Sequence, residues 1–160
     1  MTINAEKIQE IASNEVKELI EAFSSDQEEI IKVLQFHLHA EQLLERILLA
    51  KLERGDKLIE HAGLSFHQKL CIVEAFNILD PRYTDALRKV NKLRNNCAHI
   101  KAAKISKADI DLIGRCLGKT YSSILKDNSA HAHILPVLLL CVLIKIGEHL
   151  IIKAIYHEQV

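Results

Sequence analysis

The sequence has little of what a β-sheet requires. Aromatic residues make up 4% of the 160 residues, tryptophan is absent, and there are only five glycines and two prolines. Strands use aromatic and β-branched residues and their turns use Gly and Pro, so this composition favours helices. Hydrophobic residues make up 49% of the chain, which is long enough to bury one core. We therefore expect a single domain, residues 1–160, built as an all-α helical bundle.

Several function classes lack sequence support. The 21 basic and 21 acidic residues cancel, so the chain as a whole is not a general polyanion binder. There is no Gly-rich phosphate loop, dinucleotide fingerprint or nucleophile elbow, and we expect no cofactor. The N-terminal stretch carries charges where a signal peptide is apolar, and the apolar run Ile134–Ile144 is too short to cross a bilayer. We expect a cytoplasmic protein without membrane contact.

Metal ligands are also sparse. The four cysteines are far apart and form no C-x-x-C pair, which predicts buried free thiols and no metal site. His131 and His133 are two residues apart and would point in nearly opposite directions on a helix, so a helix entry explains them better than a metal. His37 and Glu41 have the i, i+4 spacing of helical ligands, but no third ligand is evident.

Start and stop signals predict about five main helices. Ser25 with Glu28 resembles a capping box, Ser65 is a good N-cap, and Asp80 before Pro81 is a strong start signal. The sequence "RGDKLIEHAG" between Gly55 and Gly63 predicts a loop or a short turn of helix. The helical segments lie at 4–23, 25–53, 65–79, 80–100, 106–126, where Ser106 and Asp109 mark the start, and from about Ser129 onward. The last of them is apolar nearly all round, which predicts either the central helix or half of a subunit interface.

Two polar residues interrupt the apolar face of the long helix 25–53. That face contains His37 near its middle and Glu41 one turn later. His37 is either a core histidine with a hydrogen-bond partner or a functional residue. An ionised carboxylate removed from water needs a cation, and Arg94 in helix 80–100 is the candidate partner of Glu41. The apolar residues that define the face are Ile30, Val33, Leu34, Leu44, Ile47 and Leu48.

The sequence "KLRNNCAHIK" at 92–101 places mediocre helix formers in a helix. Arg94 falls within the predicted buried arc of Ala86, Leu87, Val90, Leu93 and Cys97. Asn91, Asn95 and His99 follow one another at i, i+4 and i+8 along its rim. Arg94 and His99 differ by about 140° around the helix axis, so they meet at one ligand only through Arg's long side chain or across two chains.

Two interpretations of this polar group remain open from the residues. In one, Arg94 and Glu41 form a core ion pair that joins two helices, and the asparagines and His99 are a solvated rim. In the other, Arg, Asn and His bind phosphate, for which Arg offers parallel hydrogen bonds and His a proton near neutral pH. The segment 82–107 has eight basic residues against Asp85 alone, a net +7 in a neutral chain, so a polyanion would be drawn here.

The stretch "LRNNCAH" resembles the signature of the HEPN superfamily (higher eukaryotes and prokaryotes nucleotide-binding domain). Its helical-bundle members include many ribonucleases of toxin–antitoxin and defence systems. The resemblance covers about 36–100, where "FHLHAEQLLERIL", "FHQKLCIVEAFNIL" and "VNKLRNNCAH" are similar to a subgroup of bacterial HEPN-like proteins. One departure is Lys101, which stands where some toxin members carry a tyrosine used for nucleotide modification.

The resemblance implies metal-independent RNA cleavage by two motif copies that face each other across a homodimer. His99 would be the general base or acid at the ribose 2′-OH, Arg94 would hold the phosphate, and Asn95 would orient the two. Glu41, His37 and Asn91 would position these residues without contacting the RNA themselves. An antitoxin or regulatory protein would be the partner. The alternative is a non-catalytic module that binds RNA, a nucleotide or a protein, since the superfamily also contains such members and others resembling a sugar-operon repressor.

Overall fold

A computed structural model describes residues 28–99, 104–127 and 134–157, together with positions 14, 17, 18, 20 and 21. For residue 99 and for 149–157 it describes the backbone alone. Every regular element in these ranges is a helix, which confirms the predicted all-α bundle. The seven helices are α1 (Glu29–Lys51), α2 (Gly55–Ala62), α3 (Phe66–Ala75), α4 (Pro81–His99), α5 (Lys107–Leu117), α6 (Lys119–Lys126) and α7 (Ile134–His157).

Some predictions concern positions beyond these ranges. Only the five helical positions 14, 17, 18, 20 and 21 of the predicted first helix are described. The other predictions outside the described residues are those made at Ser25, Lys101, Ser129, His131 and His133.

Helix α1 is one of the long helices that contribute to the core. It runs for 23 residues without Gly or Pro and packs against α7, α3, α4 and α2. It begins at Glu29, and Glu28 occupies the N-cap position without a side-chain cap bond. The predicted capping box, which placed Glu28 inside the first turn after Ser25, is therefore wrong. Glu28 lies just before the helix rather than three residues into it.

Two other capping predictions are confirmed. The hydroxyl of Ser65 accepts from the backbone N–H of Gln68, whose side chain in turn accepts from the backbone N–H of Ser65. Ser106 and Asp109 form the same reciprocal pair at the start of α5. Each pair satisfies two backbone donors that the first turn leaves open, so the start of each helix is determined locally.

Three helix ends differ from the predictions. The segment Gly55–Ala62, predicted as a loop or a short turn, is the full helix α2, and Gly63 beyond it has φ 55°. Helix α3 ends at Ala75 rather than 79, because a turn follows in which Asn77 has φ 50°. The segment 106–126 is divided into α5 and α6 at Gly118, which has φ 56°. Left-handed backbone suits Gly and Asn and cannot continue a right-handed helix.

The corner between α5 and α6 depends on a second glycine. A methyl group on Gly114 would lie 2.5 Å from ring carbon Cδ2 of Tyr121, so only glycine admits the ring at this distance. The Tyr121 hydroxyl donates to the carboxylate of Asp111. Burial and this hydrogen bond raise the pKa of Tyr121 to about 12. The corner is thus closed by a phenol that keeps its proton at neutral pH.

The core lies where α1, α3, α4 and α7 meet. The described part of α7 is buried along most of its faces, which supports its interpretation as a central helix. No helix among the described residues is long and apolar enough to span a membrane. All four cysteines are free but half-buried, whereas the sequence predicted buried thiols. Fully buried core residues include Phe36, Leu44, Leu48, Leu70, Leu87, Leu138, Leu139, Leu143 and Ile146.

The outer face of α1 is apolar as well. Ile31, Leu34 and Leu38 are exposed by 41%, 42% and 57%, so the prediction that Leu34 lies in the buried arc is wrong. Leu34, Leu38, Glu41 and Glu45 are spaced i, i+4, i+7 and i+11 and therefore share one ridge. We call Ile31, Leu34 and Leu38 the α1 stripe. A helix that is apolar on both faces normally has a partner on each.

Candidate functional site

Arg94 lies in the last two turns of α4, on the side that faces α1. Ala86, Leu87 and Val90 are fully buried and fix the rotation of the helix. Arg94 is half-buried as a result, and its Nη1 donates to Oδ1 of the exposed Asn95 at 3.2 Å. Among the described residues no carboxylate forms an ion pair with Arg94. Most of its guanidinium donors are left for a ligand or water.

Glu41 has a different partner from the one predicted. Its Oε1 lies 2.7 Å from Nζ of Lys69, and Oε1 of Glu45 lies 2.5 Å from the same nitrogen. The predicted core ion pair between Arg94 and Glu41 is therefore wrong. The need of Glu41 for a cation was correctly anticipated, but a lysine of α3 meets it.

Sequence reasoning missed Lys69, although a signal was present. In the ten residues of α3 the buried positions are Phe66, Lys69, Leu70 and Val73, spaced i, i+3, i+4 and i+7. Lys69 thus occupies the apolar face of a short helix, and only 9% of its side chain is exposed. Burying a lysine ammonium at such a position is costly unless it pairs with a carboxylate. The spacing of the buried positions in α3 therefore indicates an acidic partner for Lys69.

The three groups form a stable charge cluster. Burial acts to lower the pKa of Lys69, but the hydrogen bonds to Glu41 and Glu45 outweigh it and the pKa is raised. The ammonium therefore stays charged at neutral pH. Two carboxylates and one ammonium leave this cluster with one negative charge in excess.

His37 connects α1, α3 and α4. Its Nε2 lies 3.0 Å from Oδ1 of Asn91, so the ring donates and the amide group of Asn91 remains free to donate elsewhere. Its ring packs on Phe66 with centroids 4.2 Å apart. His37 is thus a buried histidine with a hydrogen-bond partner, as one of the two interpretations of the sequence predicted. Nε2 of His37 contacts Asn91, and Oε1 of Glu41 contacts Lys69.

The protonation of His37 reports on its charged neighbours. Burial lowers the pKa of His37, the hydrogen bond with Asn91 partly offsets this, and the positive charge of Arg94 lowers it again. The negative charge of Glu41 raises the pKa of His37 and the positive charge of Lys69 lowers it, by smaller amounts. Arg94, Glu41 and Lys69 are all close enough to act on one imidazole. The imidazole is neutral near pH 7 as a result.

The positive surface along α4 has two parts. Arg82 pairs with Asp80 at 2.6 Å and Arg88 pairs with Glu74, so these two charges are neutralised. Among the described residues, exposed lysines that form no ion pair follow at Lys89, Lys92, Lys104 and Lys107. The predicted excess of positive charge is therefore concentrated toward the end of α4 and the start of α5.

The structure brings together some of the predicted site residues. His37 contacts Asn91, Arg94 contacts Asn95, and Glu41 lies in the neighbouring Lys69 cluster. His99 is the last residue of α4, one turn beyond Asn95, and its side chain lies outside the described residues. The arrangement offers a guanidinium, two amides and a basic surface on one helix, which is chemistry suited to a phosphate group.

Comparison with known proteins gives no identification. No family model, no curated protein and no solved structure matches the chain.

Proposed function

We propose that the protein is a HEPN-like domain that binds RNA at the end of α4 and cleaves it without a metal, as a homodimer of toxin or defence type. The observation that supports this most strongly is the state of Arg94. Glu41, which the sequence offered as its partner, is paired with Lys69, and Arg94 itself is left without a carboxylate partner among the described residues. A half-buried guanidinium without a counter-charge is a site for an anion.

The proposed roles follow the chemistry of each group. Arg94 binds the scissile phosphate and the negative charge that develops on it, and Asn95 holds the guanidinium in place through its Oδ1. His99 takes the proton from the ribose 2′-OH or delivers one to the leaving oxygen. Attack of the 2′-oxygen on phosphorus breaks the bond to the 5′-oxygen, so the products are a 2′,3′-cyclic phosphate and a 5′-hydroxyl.

The α1 stripe supports the dimer part of the proposal. Leu34 and Leu38 lie on the same ridge of α1 as Glu41 and Glu45, and α1 packs against α4. A second copy packed on this stripe would bury the apolar surface and bring its own α4 near the first. This would also let Arg94 of one copy act with His99 of the other, which the angle between them on one helix disfavours.

A second candidate function has its own support. The exposed Lys89, Lys92, Lys104 and Lys107 attract a polyanion whether or not His99 takes part in chemistry. A non-catalytic module that binds RNA, a nucleotide or a partner protein would use the same surface.

The experiment that separates the two candidates is RNA cleavage in EDTA. The purified protein, Arg94→Ala and His99→Ala are incubated with a mixed RNA, and the product ends are analysed. We expect cyclic phosphate ends from the unaltered protein and at least a roughly hundredfold loss in both variants, the lower range for removal of one charge-stabilising or proton-transferring group. RNA binding without cleavage would support the non-catalytic module instead.

Matched controls are available in the same chain. Arg82→Ala removes an arginine of the same helix whose partner is Asp80, and His67→Ala removes an exposed histidine of α3. Both should cleave RNA as the unaltered protein does. Equal loss in Arg82→Ala and Arg94→Ala would mean that general charge, rather than the Arg94 site, supports activity.

A further inference from the structure

We propose that the predicted first helix, residues 4–23, folds back on its own chain and covers the α1 stripe. The stripe consists of Ile31, Leu34 and Leu38, which are exposed by 41%, 42% and 57%. Large apolar side chains that share one exposed face of a helix indicate a partner on that face. The partner here is a segment of the same protein, so its placement is independent of RNA cleavage. Only its consequence for the dimer rests on the proposed function.

The described positions of the segment define its outer face. Asn14, Lys17, Glu18 and Glu21 are helical and exposed, and Ile20 at the border of this face is exposed by 45%. The four polar residues are spaced i, i+3, i+4 and i+7 and therefore share one side of a helix. On the same helical pattern the opposite side is apolar, at positions 8, 12, 16, 19 and 23. An amphipathic helix of this length is stabilised mainly by burying its apolar face, so the segment needs a partner too.

The connection to α1 brings the apolar side of the segment to the stripe. Only residues 24–28 separate the predicted end of the first helix from the start of α1 at Glu29. A connection this short joins antiparallel neighbours in helical proteins. In that arrangement Phe23, Leu19 and Val16 run back along the stripe. Each set of three apolar residues spans about 10 Å of helix on its own side of the turn.

A buried hydrogen-bond acceptor also borders the stripe. Gln35 lies four residues after Ile31 and three before Leu38, so it is next to both on the surface of α1. Its Oε1 is buried and has no hydrogen-bond partner among the described residues. Buried amide oxygens in folded proteins are almost always hydrogen-bonded. A polar side chain at the border of the covering helix would supply the donor.

The short connection favours the segment over a second copy of the protein. A segment joined by five residues is present beside the stripe at an effective concentration on the order of millimolar. A second copy reaches the stripe only at its concentration in solution. The two exclude each other, because both need the same three side chains. In the proposed function, dimerisation through the stripe therefore requires release of the segment.

The first test places a fluorescent probe in the stripe. The chain contains no tryptophan, so Leu38→Trp introduces a single indole that reports on this position. We expect the emission of a buried indole at concentrations where light scattering finds a monomer. Adding Leu19→Asp, which puts a charge on the apolar side of the segment, should shift the emission to that of an exposed indole. Adding Lys17→Asp instead changes an exposed position and should leave the emission as it was.

Three results of this test would overturn the inference. One is an indole that is exposed in the dilute monomer and becomes buried only as the concentration rises, which would assign the stripe to a second copy. Another is an indole that is exposed at every concentration. The third is a buried indole whose emission does not respond to Leu19→Asp.

The second test detects the pairing without a destabilising substitution. Leu19→Cys/Leu34→Cys is treated in dilute solution with a short bifunctional maleimide, and peptide mapping identifies the linked thiols. We expect a link between the two introduced thiols within one chain. Lys17→Cys/Leu34→Cys is the matched control and should link little, since Lys17 is on the exposed side of the segment. Absence of the link, or a link that joins two chains, would contradict the proposal, and this result decides if circular dichroism shows that Leu19→Asp unfolds the protein.

The dimer of the proposed function is tested separately with Leu19→Asp alone. Release of the segment frees the stripe, so this variant should dimerise at a lower protein concentration than the unaltered protein and cleave more RNA there. A variant whose stripe is exposed but that neither dimerises nor cleaves RNA overturns the proposed function. The covering segment would remain in place in that case.

Discussion

The arginines in the two halves of α4 differ in whether they form ion pairs. In the first half, Arg82 pairs with Asp80 and Arg88 pairs with Glu74, an acid at the end of α3. In the second half, Arg94 forms no ion pair with any acid among the described residues. Arginine therefore forms ion pairs within the protein at one end of α4 and, in our proposal, binds a ligand at the other end. What distinguishes them is whether a carboxylate lies within reach of the guanidinium.

The largest effect that tests this comparison is expected in the buried part of the first half. Leu87 is fully buried, and Leu87→Ala should lower the free energy of unfolding by about 2–5 kcal/mol, measured by urea denaturation. Lys89→Ala, two residues away and exposed, is the control and should change it by about 0.5 kcal/mol or less. Equal effects of the two variants would mean that α4 is not anchored through this face.

A smaller loss is expected from the paired arginine. Arg88→Ala removes an ion pair whose side chains are 34% and 42% exposed, so we expect a loss of about 0.2–1 kcal/mol in unfolding free energy. RNA affinity should be unchanged. A double-mutant cycle with Glu74→Gln measures the pair itself. If Arg88→Ala weakened RNA binding as much as Arg94→Ala, the division between the two halves would fail.

The second half of α4 contacts His37 of α1 through Asn91, and this contact should make the free energy of unfolding depend on pH. Because the pKa of His37 is lowered in the folded state, the unfolded chain binds more protons than the folded one as pH falls through about 6.5. Unfolding free energy should therefore decrease from pH 7.5 to 5, and the His37 contribution should level off below its folded pKa. His37→Asn should remove that part of the slope. An unchanged slope would show that His37 is not held neutral by its surroundings.

The smallest effect concerns the exposed start of α4. Hydrogen bonds from the side chain and backbone of Arg82 lower the pKa of the Asp80 carboxyl to about 2. An NMR titration of Asp80 should find that value, and Arg82→Ala should move it back toward the ordinary range. Little change in stability is expected, because both groups are in water. A titration near the ordinary value in the unaltered protein would show that this pair is open in solution.

Local signals predicted much of the fold. Ser65 and Ser106 begin helices through contacts within four residues, and Asp80 before Pro81 does the same. The break at Gly118 was missed because helix-forming residues stand on both sides of it, and only the close approach of Tyr121 to Gly114 shows why the chain turns there. A turn determined by packing leaves little trace in a sequence read locally.

The candidate site was predicted in composition but not in pairing. Periodicity placed His37 and Arg94 at buried or half-buried positions, and the structure agrees. Periodicity predicts which face of a helix a residue occupies, but it does not predict which residue of another helix packs against that face. Arg94 was therefore wrongly predicted as the ion-pair partner of Glu41. Lys69 lies 28 residues beyond Glu41, and the rotation of α3 that brings them together is a property of the whole core.

The α1 stripe has a consequence for how activity depends on protein amount. In the proposed dimer, a complete site exists only while two copies are joined, so its abundance rises with the square of the protein concentration when the protein is dilute. A modest increase in expression would then produce a disproportionate increase in RNA damage, and dilution at cell division would reduce it. In that dimer, truncation of Leu38, the most exposed member of the stripe, would shift the rise in activity to a higher protein concentration.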